Sequence, residues 1–310
     1  MQEGGEPMKE LQEGFLPEER EEQDAAFCFH VENSLRKKFR KTIWSRFTLA
    51  LKQYRLVNAG DRVAVCISGG KDSTLLAKLF QELKRYSRVP FDVRYIVMDP
   101  GYSPANRQLI EDNARRLQIP IEIFETDIFG SVVNVEKNPC YLCARMRRGH
   151  LYSYARQLGC NKIALGHHYD DVIETILMGM LYGAQIQTML PKLHSTNYEG
   201  MELIRPLYLV RESDILKWRD YNALHFLRCA CRFTENADTD EHLSKRAEVK
   251  ALIADLKKNN PDVEARIFRS VENVCLDSVI GWKTGGERHT FLDHYDDPPA
   301  RMPGHDETEP

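Results

Sequence analysis

The most informative short motif in the chain is Ser68–Ser73 (SGGKDS), which has the composition of a phosphate-binding loop. It follows the apolar, β-branched segment Arg62–Ile67 and opens a helical pattern. Glycines let the backbone approach phosphate oxygens closely, and N–H groups at the start of a helix carry partial positive charge. The spacing is not that of a Walker A motif. The motif therefore predicts an anion site for a nucleotide; the simpler alternative is a tight turn between strand and helix.

A second motif places Cys140 and Cys143 at the predicted start of a helix, beside three arginines. A helix N-terminus and nearby cations favour the thiolate form, which is the form that binds metals. The pair suits a metal ion, an iron–sulfur cluster or a redox disulfide, although two unrelated buried thiols would have the same spacing. Cys229 and Cys231 are the candidates for completing a four-ligand site, whereas Cys66 and Cys160 lie in or beside predicted strands and belong to the core.

A third motif, ALGHHYDD over residues 164–171, follows another short apolar segment. Ligands bind outside the carboxyl ends of strands in open α/β sheets, which is where these histidines and carboxylates would lie. Asp170 or Asp171 could hold Mg²⁺ that bridges ATP phosphates. His167 or His168 could contact phosphate or could have a structural hydrogen-bonding role. Asp99, before a Pro-Gly pair, either meets the nucleotide or is a turn residue.

Alternating strand and helix patterns surround these motifs and predict a doubly wound parallel α/β sheet with helices on both faces. The predicted strands are Arg62–Ile67, Val93–Met98, Ile121–Phe124 and Lys162–Leu165. The predicted helices between and after them are Ser73–Arg85, Asn106–Leu117, a helix containing Leu151–Leu158, and Asp171–Leu181. Beyond the sheet the chain is predicted to be helical over Glu212–Ala223, Asp240–Lys258 and Val263–Val274.

The charge of the chain, −3 overall, is unevenly distributed. Residues 1–27 hold nine acids and two bases, residues 287–310 hold seven acids and two bases, and residues 28–286 have a net charge of +9. We predict acidic tails, disordered or lightly ordered, over 1–27 and 287–310, a basic helical segment over 28–58, an α/β domain over 59–210 and a helical region over 211–286. No apolar run approaches the roughly 20 residues that span a bilayer, and no signal peptide is evident, so a cytoplasmic enzyme is expected.

The positive body has two interpretations that charge alone does not separate. It could serve solubility only, or it could present a phosphate-binding face to a nucleic acid. Arg145, Arg147 and Arg148 are the candidate RNA contacts, together with the bases of the segment 28–58. For that segment a solvated outer helix face is the simpler alternative.

Taken in order, the motifs resemble the tRNA 2-thiocytidine synthetase family of PP-loop ATP pyrophosphatases over roughly residues 30–280. The matching strings are VAVCISGGKDS (Val63–Ser73), PCYLCARMRRG (Pro139–Gly149), KIALGHHYDD (Lys162–Asp171), IRPL (Ile204–Leu207), RESDI (Arg211–Ile215) and VENV (Val271–Val274). The related 2-thiouridine synthetases usually carry flanking zinc-finger cysteines, which this chain lacks.

The resemblance implies an enzyme that splits ATP into AMP and pyrophosphate, adenylates the C2 oxygen of an anticodon-loop cytidine in tRNA, and replaces that oxygen with sulfur. It implies Mg²⁺, tRNA, a sulfur donor such as a cysteine desulfurase, and a homodimer as an open question. The ATP-binding residues would be Ser68, Gly69, Gly70, Lys71, Asp72, Ser73, Asp99, Gly166 and His167. Asp72, Ser73 and Asp171 would be catalytic.

The resemblance also implies a [4Fe–4S] cluster held by three cysteines, which map to Cys140, Cys143 and Cys229. The chain departs from the family at the third ligand, because Arg228 replaces a proline and Cys-Ala-Cys replaces Cys-x-x-Cys. Cys231 is therefore a rival to Cys229. Two other function classes share parts of the pattern: an adenylating enzyme for another base or a small molecule, and a cluster-binding regulator with a degenerate ATP site.

Overall fold

Strands and helices alternate from residue 62 onward, as the sequence predicts. The computed structural model describes residues 17–128, 139–227 and 241–296. The helices are α1 (Pro17–Arg36), a π-helical turn (Arg40–Trp44), α2 (Ser45–Gln53), α3 (Lys71–Tyr86), α4 (Pro104–Arg116), α5 (Pro139–Gln157), α6 (Tyr169–Gly183), α7 (Glu212–Tyr221), α8 (Glu241–Asn259) and α9 (Val263–Ser270). The strands are β1 (Arg62–Ile67), β2 (Asp92–Asp99), β3 (Ile121–Glu125), β4 (Lys162–Ala164), β5 (Lys192–His194), β6 (Glu202–Ile204), β7 (Gly281–Thr284) and β8 (Glu287–Thr290).

The main sheet has six strands in the order β3-β2-β1-β4-β6-β5. All neighbours are parallel except β5, which runs antiparallel to β6 at the edge. Val65 in the centre of β1 lies opposite Tyr95 on β2 and Ala164 on β4. The predicted doubly wound, mostly parallel sheet is confirmed.

Both faces of the sheet are covered, and alternate residues of β1 face opposite cores. Val63 and Val65 point into the larger core, where they join residues of α1 to α4. Ala64 and Cys66 point into the second core, with Tyr152 of α5. Burial on both faces explains why β1 has a continuous apolar run rather than an alternating pattern.

The strand order places a topological switch point between β1 and β4. From β1 the chain moves outward through β2 and β3, then returns to the other side of β1 to form β4. The phosphate-loop motif follows β1 and the Gly166-His167 pair follows β4. Ligands of open α/β sheets bind in the crevice at such a point, so two motifs that lie about a hundred residues apart meet at one site.

The structure differs from the sequence prediction at the ends of the chain and at the sheet edge. Helix α1 begins at Pro17, inside the stretch 1–27 predicted as a disordered or lightly ordered tail; Asp24 there pairs with Arg115 on α4. The β7–β8 hairpin crosses the predicted boundary between 286 and 287. The end of the predicted helical region and the start of the predicted tail are therefore both strands. Strands β5 and β6 were not predicted, because three residues are too few to show a two-residue period. None of the described helices has the length and apolarity that a membrane span requires.

Candidate active site

The phosphate-loop motif forms a tight turn that opens directly into α3. Gly69 has φ +81°, and a Cβ at this position would lie 2.8 Å from Cγ1 of Ile110, so only glycine fits. The Ser73 hydroxyl accepts a bond from the Ser68 N–H at 3.1 Å and lies 3.1 Å from the Gly70 carbonyl, to which it donates. Gly70 gives α3 no side-chain cap. The N–H groups of the first turn therefore face the crevice, where an anion can accept from them.

The Lys71 ammonium lies between two carboxylates at the start of α3. Its Nζ is 3.1 Å from Asp72 Oδ2 and 3.1 Å from Glu212 Oε1. Burial alone would lower the pKa of Lys71, but Asp72 and Glu212 outweigh burial and raise it. Lys71 is therefore a cation, and a bound polyphosphate would compete with Glu212 for its charge.

The second motif packs directly against this loop. A Cβ on Gly166 would lie 3.0 Å from the Ser73 nitrogen and 3.1 Å from the Asp72 carbonyl carbon. His168 caps α6. Its ring Nδ1 accepts from the backbone N–H of Asp171 at 3.4 Å, and its backbone N–H donates to Asp171 Oδ2 at 2.9 Å. Of the two histidines, His168 therefore has the structural role that the sequence left open.

His167 is the histidine that lines the crevice. Its Nδ1 is buried and has no hydrogen-bond partner. Burial, with a smaller effect from Arg205, lowers the pKa of His167 to about 4. His167 is therefore neutral at pH 7, and it can offer a ligand a hydrogen bond but not a positive charge.

The loop, β4 and α5 together enclose a cavity of about 340 Å³, within the size range of small-molecule sites. It is lined by Cys66, Ile67, Ser68, Asp72, Ser73, Met98, Arg147, Leu151, Leu165, Gly166, His167 and Asp171. The structure thus brings together the predicted residues Ser68, Asp72, Ser73, Gly166, His167 and Asp171, and it adds one predicted RNA contact, Arg147. The assignment of individual residues to ATP or to catalysis remains a prediction.

The carboxylates on the cavity wall fit a magnesium ion that is shared with phosphates. Oδ1 of Asp72 is buried without a hydrogen-bond partner, so it is an acceptor in need of a ligand. Asp171 lines the same cavity. In the described ranges no group of three or more His, Cys, Asp or Glu side chains is placed to hold a metal ion alone. This agrees with Mg²⁺, which usually takes one or two carboxylates and completes its shell with substrate phosphates and water.

Asp99 and Asp170 are engaged elsewhere. Oδ1 of Asp99 accepts from the N–H groups of Gly101 at 2.9 Å and Tyr102 at 2.7 Å, and Oδ2 accepts from Arg107 at 3.0 Å. Burial would raise the pKa of Asp99, but these donors outweigh it and lower the pKa. This geometry favours the turn role that the sequence left open. Asp170 accepts from Arg211 at 3.0 Å, so of the adjacent aspartates it is Asp171 that lines the cavity.

Sequence analysis missed a charged network that connects the loop to α8. Glu212 holds Lys71 with one oxygen and lies 3.2 Å from Lys250 with the other. Lys250 and Arg246 both pair with Glu174, a buried carboxylate of α6, at 3.5 and 3.4 Å. Burial would raise the pKa of Glu212, but Lys71 and Lys250 outweigh it and hold this pKa at about 2. The sequence features that could have indicated this network were the one-turn spacing of Arg246 and Lys250 and the RESDI string, which contains Glu212.

The Cys-x-x-Cys pair lies in the first turn of α5, which begins at Pro139. Positions 140, 143, 147 and 151 follow an i, i+3, i+7, i+11 spacing and share one face of the helix. The last two of these, Arg147 and Leu151, line the cavity. Helix α5 therefore reaches the cavity wall about one turn after the Cys-x-x-Cys pair.

The remaining cysteines and arginines divide as follows. Cys229 and Cys231 lie outside the described residues, so the choice between them is untested. Burial raises the pKa of the Cys66 and Cys160 thiols, and both belong to the second core, as predicted. Arg145 and Arg148 are exposed.

A Gly166→Ala variant should lose ATP turnover by about 10- to 100-fold. The added methyl meets the backbone of Asp72 and Ser73, which cannot rotate away, so β4 or the loop must shift, and small displacements in a site cost rates of that order. Steady-state pyrophosphate release measures the loss. Gly149→Ala is the matched control, because a Cβ there has no neighbour within 4 Å. Equal turnover in both variants would contradict the proposed close packing.

Comparison with known proteins agrees with this geometry. Residues 39–238 match the family model of the PP-loop domain. A tRNA-cytidine(32) 2-sulfurtransferase of Coxiella burnetii (strain RSA 493 / Nine Mile phase I) is 40% identical over 232 residues, which are 73% of this chain and 86% of the relative. A protein of the same name from Vibrio campbellii (strain ATCC BAA-1116) is 33% identical over 246 residues, 78% of this chain and 79% of the relative.

Among solved structures, a U34-tRNA thiolase, NcsA from Methanococcus maripaludis with its [4Fe-4S] cluster, superposes with a TM-score of 0.57. The two chains are 22% identical, and the match covers 83% of each. At this identity the likeness shows a common fold. The family match over most of the α/β domain and the relatives above 30% identity show that the chain belongs to the PP-loop family and, within it, to the tRNA-cytidine(32) 2-sulfurtransferases.

Proposed function

We propose that this protein uses ATP to replace the C2 oxygen of a cytidine in the anticodon loop of tRNA with sulfur. One observation carries the proposal: the phosphate loop, two carboxylates and residues of α5, the helix that begins with the Cys-x-x-Cys pair, border one cavity. An adenylating site and a sulfur-binding site are thereby next to each other. The names of the relatives give the substrate as cytidine 32 of tRNA.

The first half of the reaction follows from the loop. The cytosine C2 oxygen is a poor leaving group; its attack on the α-phosphate of ATP breaks the bond to the β-phosphate and gives an adenylate and pyrophosphate. The first-turn N–H groups of α3 and Lys71 would hold the phosphates, and Asp72 with Asp171 would hold Mg²⁺ against them. These fixed donors stabilise the charge that develops as pyrophosphate leaves.

The second half needs a nucleophilic sulfur, and the donor set of the chain suits a cluster. Cys140 and Cys143 lie at a helix N-terminus, which favours thiolates, and soft thiolates are the ligands of iron–sulfur clusters. A third cysteine, Cys229 or Cys231, would complete the site and leave one iron free. When bound, a [4Fe–4S] cluster would supply the sulfur that displaces AMP from C2. Leu227, the last described residue before these cysteines, donates its N–H to the Gly69 carbonyl at 3.3 Å.

The proposed chemistry indicates the partners and the location of the enzyme. The substrate is tRNA, and an external sulfur donor such as a cysteine desulfurase would replace the consumed sulfur. We place the protein in the cytoplasm, where its tRNA substrate is found. A homodimer is a separate hypothesis, which the molecular mass of the protein in solution tests. Arg147, at the cavity wall, would meet the phosphates of the nucleotide or of the anticodon loop.

Nucleoside mass spectrometry tests the proposal. tRNA from cells that lack this protein should contain no 2-thiocytidine, and the purified anaerobic protein with ATP, Mg²⁺ and a sulfide source should restore it. Unchanged 2-thiocytidine in the deletion strain would refute the proposed function. ATP splitting that is equally fast without tRNA would favour a small-molecule substrate instead.

A further inference from the structure

The chain between Glu32 and Asp61 has an unusual charge composition. Residues 33–60 contain eight bases and no acidic residue. This stretch runs from the end of α1 through the π-helical turn and α2 into the loop before β1. Sequence analysis alone left its bases as either a solvated helix face or an RNA contact.

Seven of these eight bases are exposed and have no carboxylate partner among the described residues. The exposed ones, here called the basic face, are Lys37, Lys38, Arg40, Lys41, Arg46, Lys52 and Arg55. Across the described residues, none of the seven forms an ion pair with a carboxylate, whereas the neighbouring Arg36 pairs with Glu82 at 3.4 Å. Cations on other elements do find acidic partners: Lys84 pairs with Asp92, and Lys258 with Asp255. The basic face therefore holds concentrated positive charge that the protein itself leaves uncompensated.

The backbone of the basic face is anchored to the hydrophobic core. Phe39, Ile43 and Phe47 point inward, with exposed fractions of 5%, 0% and 0%, and they belong to the larger core. The π-helical turn between α1 and α2 widens the backbone at this point. The backbone that carries the charges is consequently held in place, which reduces the entropy cost of binding an extended anion.

The basic face lies beside α7, which also lines a cleft at the phosphate loop. The Lys38 ammonium lies 4.1 Å from the ring centroid of Tyr221 at the end of α7. Asn222, the next residue, donates to the Ser34 hydroxyl at 3.2 Å. Residues of α7 line an open cleft of about 690 Å³ that ends at Lys71 and Asp72, at the start of α3. Helix α7 therefore connects the basic face, through Tyr221, with the cleft that borders the phosphate loop.

We propose that the basic face binds the phosphate backbone of the tRNA substrate and positions the anticodon loop at the cleft. The proposal rests on the proposed function, since it names a docking surface for the same substrate. RNA fits better than an acidic protein, because a regular row of phosphates matches cations that are spread from the end of α1 through the π-helical turn and α2 to the loop before β1.

The test compares two variants that remove the same charge. In the first, Lys37, Arg40, Lys41 and Arg46 are changed to Ala; in the control, Lys84, Arg94, Lys258 and Lys283, exposed on other elements, are changed to Ala. Log affinity falls with log salt concentration, and each lost phosphate contact should make this negative slope shallower by about 0.7 to 0.9. Four lost contacts should therefore make it shallower by about 3. At about 0.15 M salt we expect at least a tenfold weaker tRNA affinity for the first variant. ATP binding, measured without tRNA, should be unchanged in both.

The outcomes separate this proposal from the proposed function. If the unmodified protein fails to bind tRNA, the proposed function fails. If it binds tRNA and the two variants have equal affinities and equal salt slopes, the basic face is not the docking surface, while the function stands. A selective loss in the first variant supports both.

Discussion

An Asp72→Asn variant should lose ATP-dependent adenylation by about a hundredfold or more while keeping its fold. Asp72 pairs with Lys71 through Oδ2, whereas its Oδ1 is buried at the cavity without a hydrogen-bond partner, so this oxygen can accept a cation that enters with the nucleotide. Asparagine keeps the shape but removes the charge that would hold Mg²⁺ against the phosphates, and losing one such electrostatic contact costs about 10² to 10³ in rate. Release of pyrophosphate and AMP in the presence of tRNA measures the effect.

The matched control is Asp255→Asn, which neutralises an exposed carboxylate paired with Lys258, one turn away on α8. It should retain full turnover. The visible absorption of the bound cluster should be the same in Asp72→Asn and in the unmodified protein, because Asp72 belongs to the nucleotide part of the site. Normal turnover in Asp72→Asn, or ADP and phosphate as the products of the unmodified protein, would contradict the assignment of this loop.

The sheet could be predicted because its strands are long or lie beside strong signals. β1 was predicted at its observed limits, since five consecutive apolar residues, Val63–Ile67, follow Arg62 and end just before Ser68 and a glycine pair, and a strand buried on both faces has such a continuous run. β5 and β6 were missed because each has three residues, and their pairing depends on a neighbour rather than on local sequence. The acidic stretch before residue 28 was interpreted as a tail, because charge composition cannot show that Asp24 has a partner on α4.

The motifs of the site could be predicted from the sequence, but the ion pairs that connect them could not. The glycines and the residues after β1 and β4 were found because a nucleotide site demands them locally. The partners of Lys71 were not found: Glu212 comes from α7, and its second contact, Lys250, comes from α8. Such long-range ion pairs carry no periodic signal. The role of Asp99 could not be settled either, because a carboxylate before a Pro-Gly pair suits a turn and a ligand equally well until its donors are seen.

The largest effect is expected from the cysteines of α5. Cys140→Ala and Cys143→Ala should each abolish the iron–sulfur cluster and lower tRNA thiolation by at least about a hundredfold, since even groups that only support metal ligands cost 10- to 100-fold when removed. ATP binding should persist, because the phosphate loop and α3 do not depend on these side chains. The measurements are iron and acid-labile sulfide per chain, EPR of the reduced protein, and 2-thiocytidine formation.

Cys275→Ala is the matched control, because Cys275 is an exposed free cysteine and should be dispensable for the cluster. The third ligand is decided by the pair Cys229→Ala and Cys231→Ala: we expect the first to lose the cluster and the second to keep it. Loss in Cys231→Ala alone would move the ligand by two positions, to the place where this chain departs from the family pattern. Stoichiometric zinc without labile sulfide in the unmodified protein would overturn the cluster assignment altogether, because thiolates at a helix start bind zinc equally well, but zinc cannot supply sulfur.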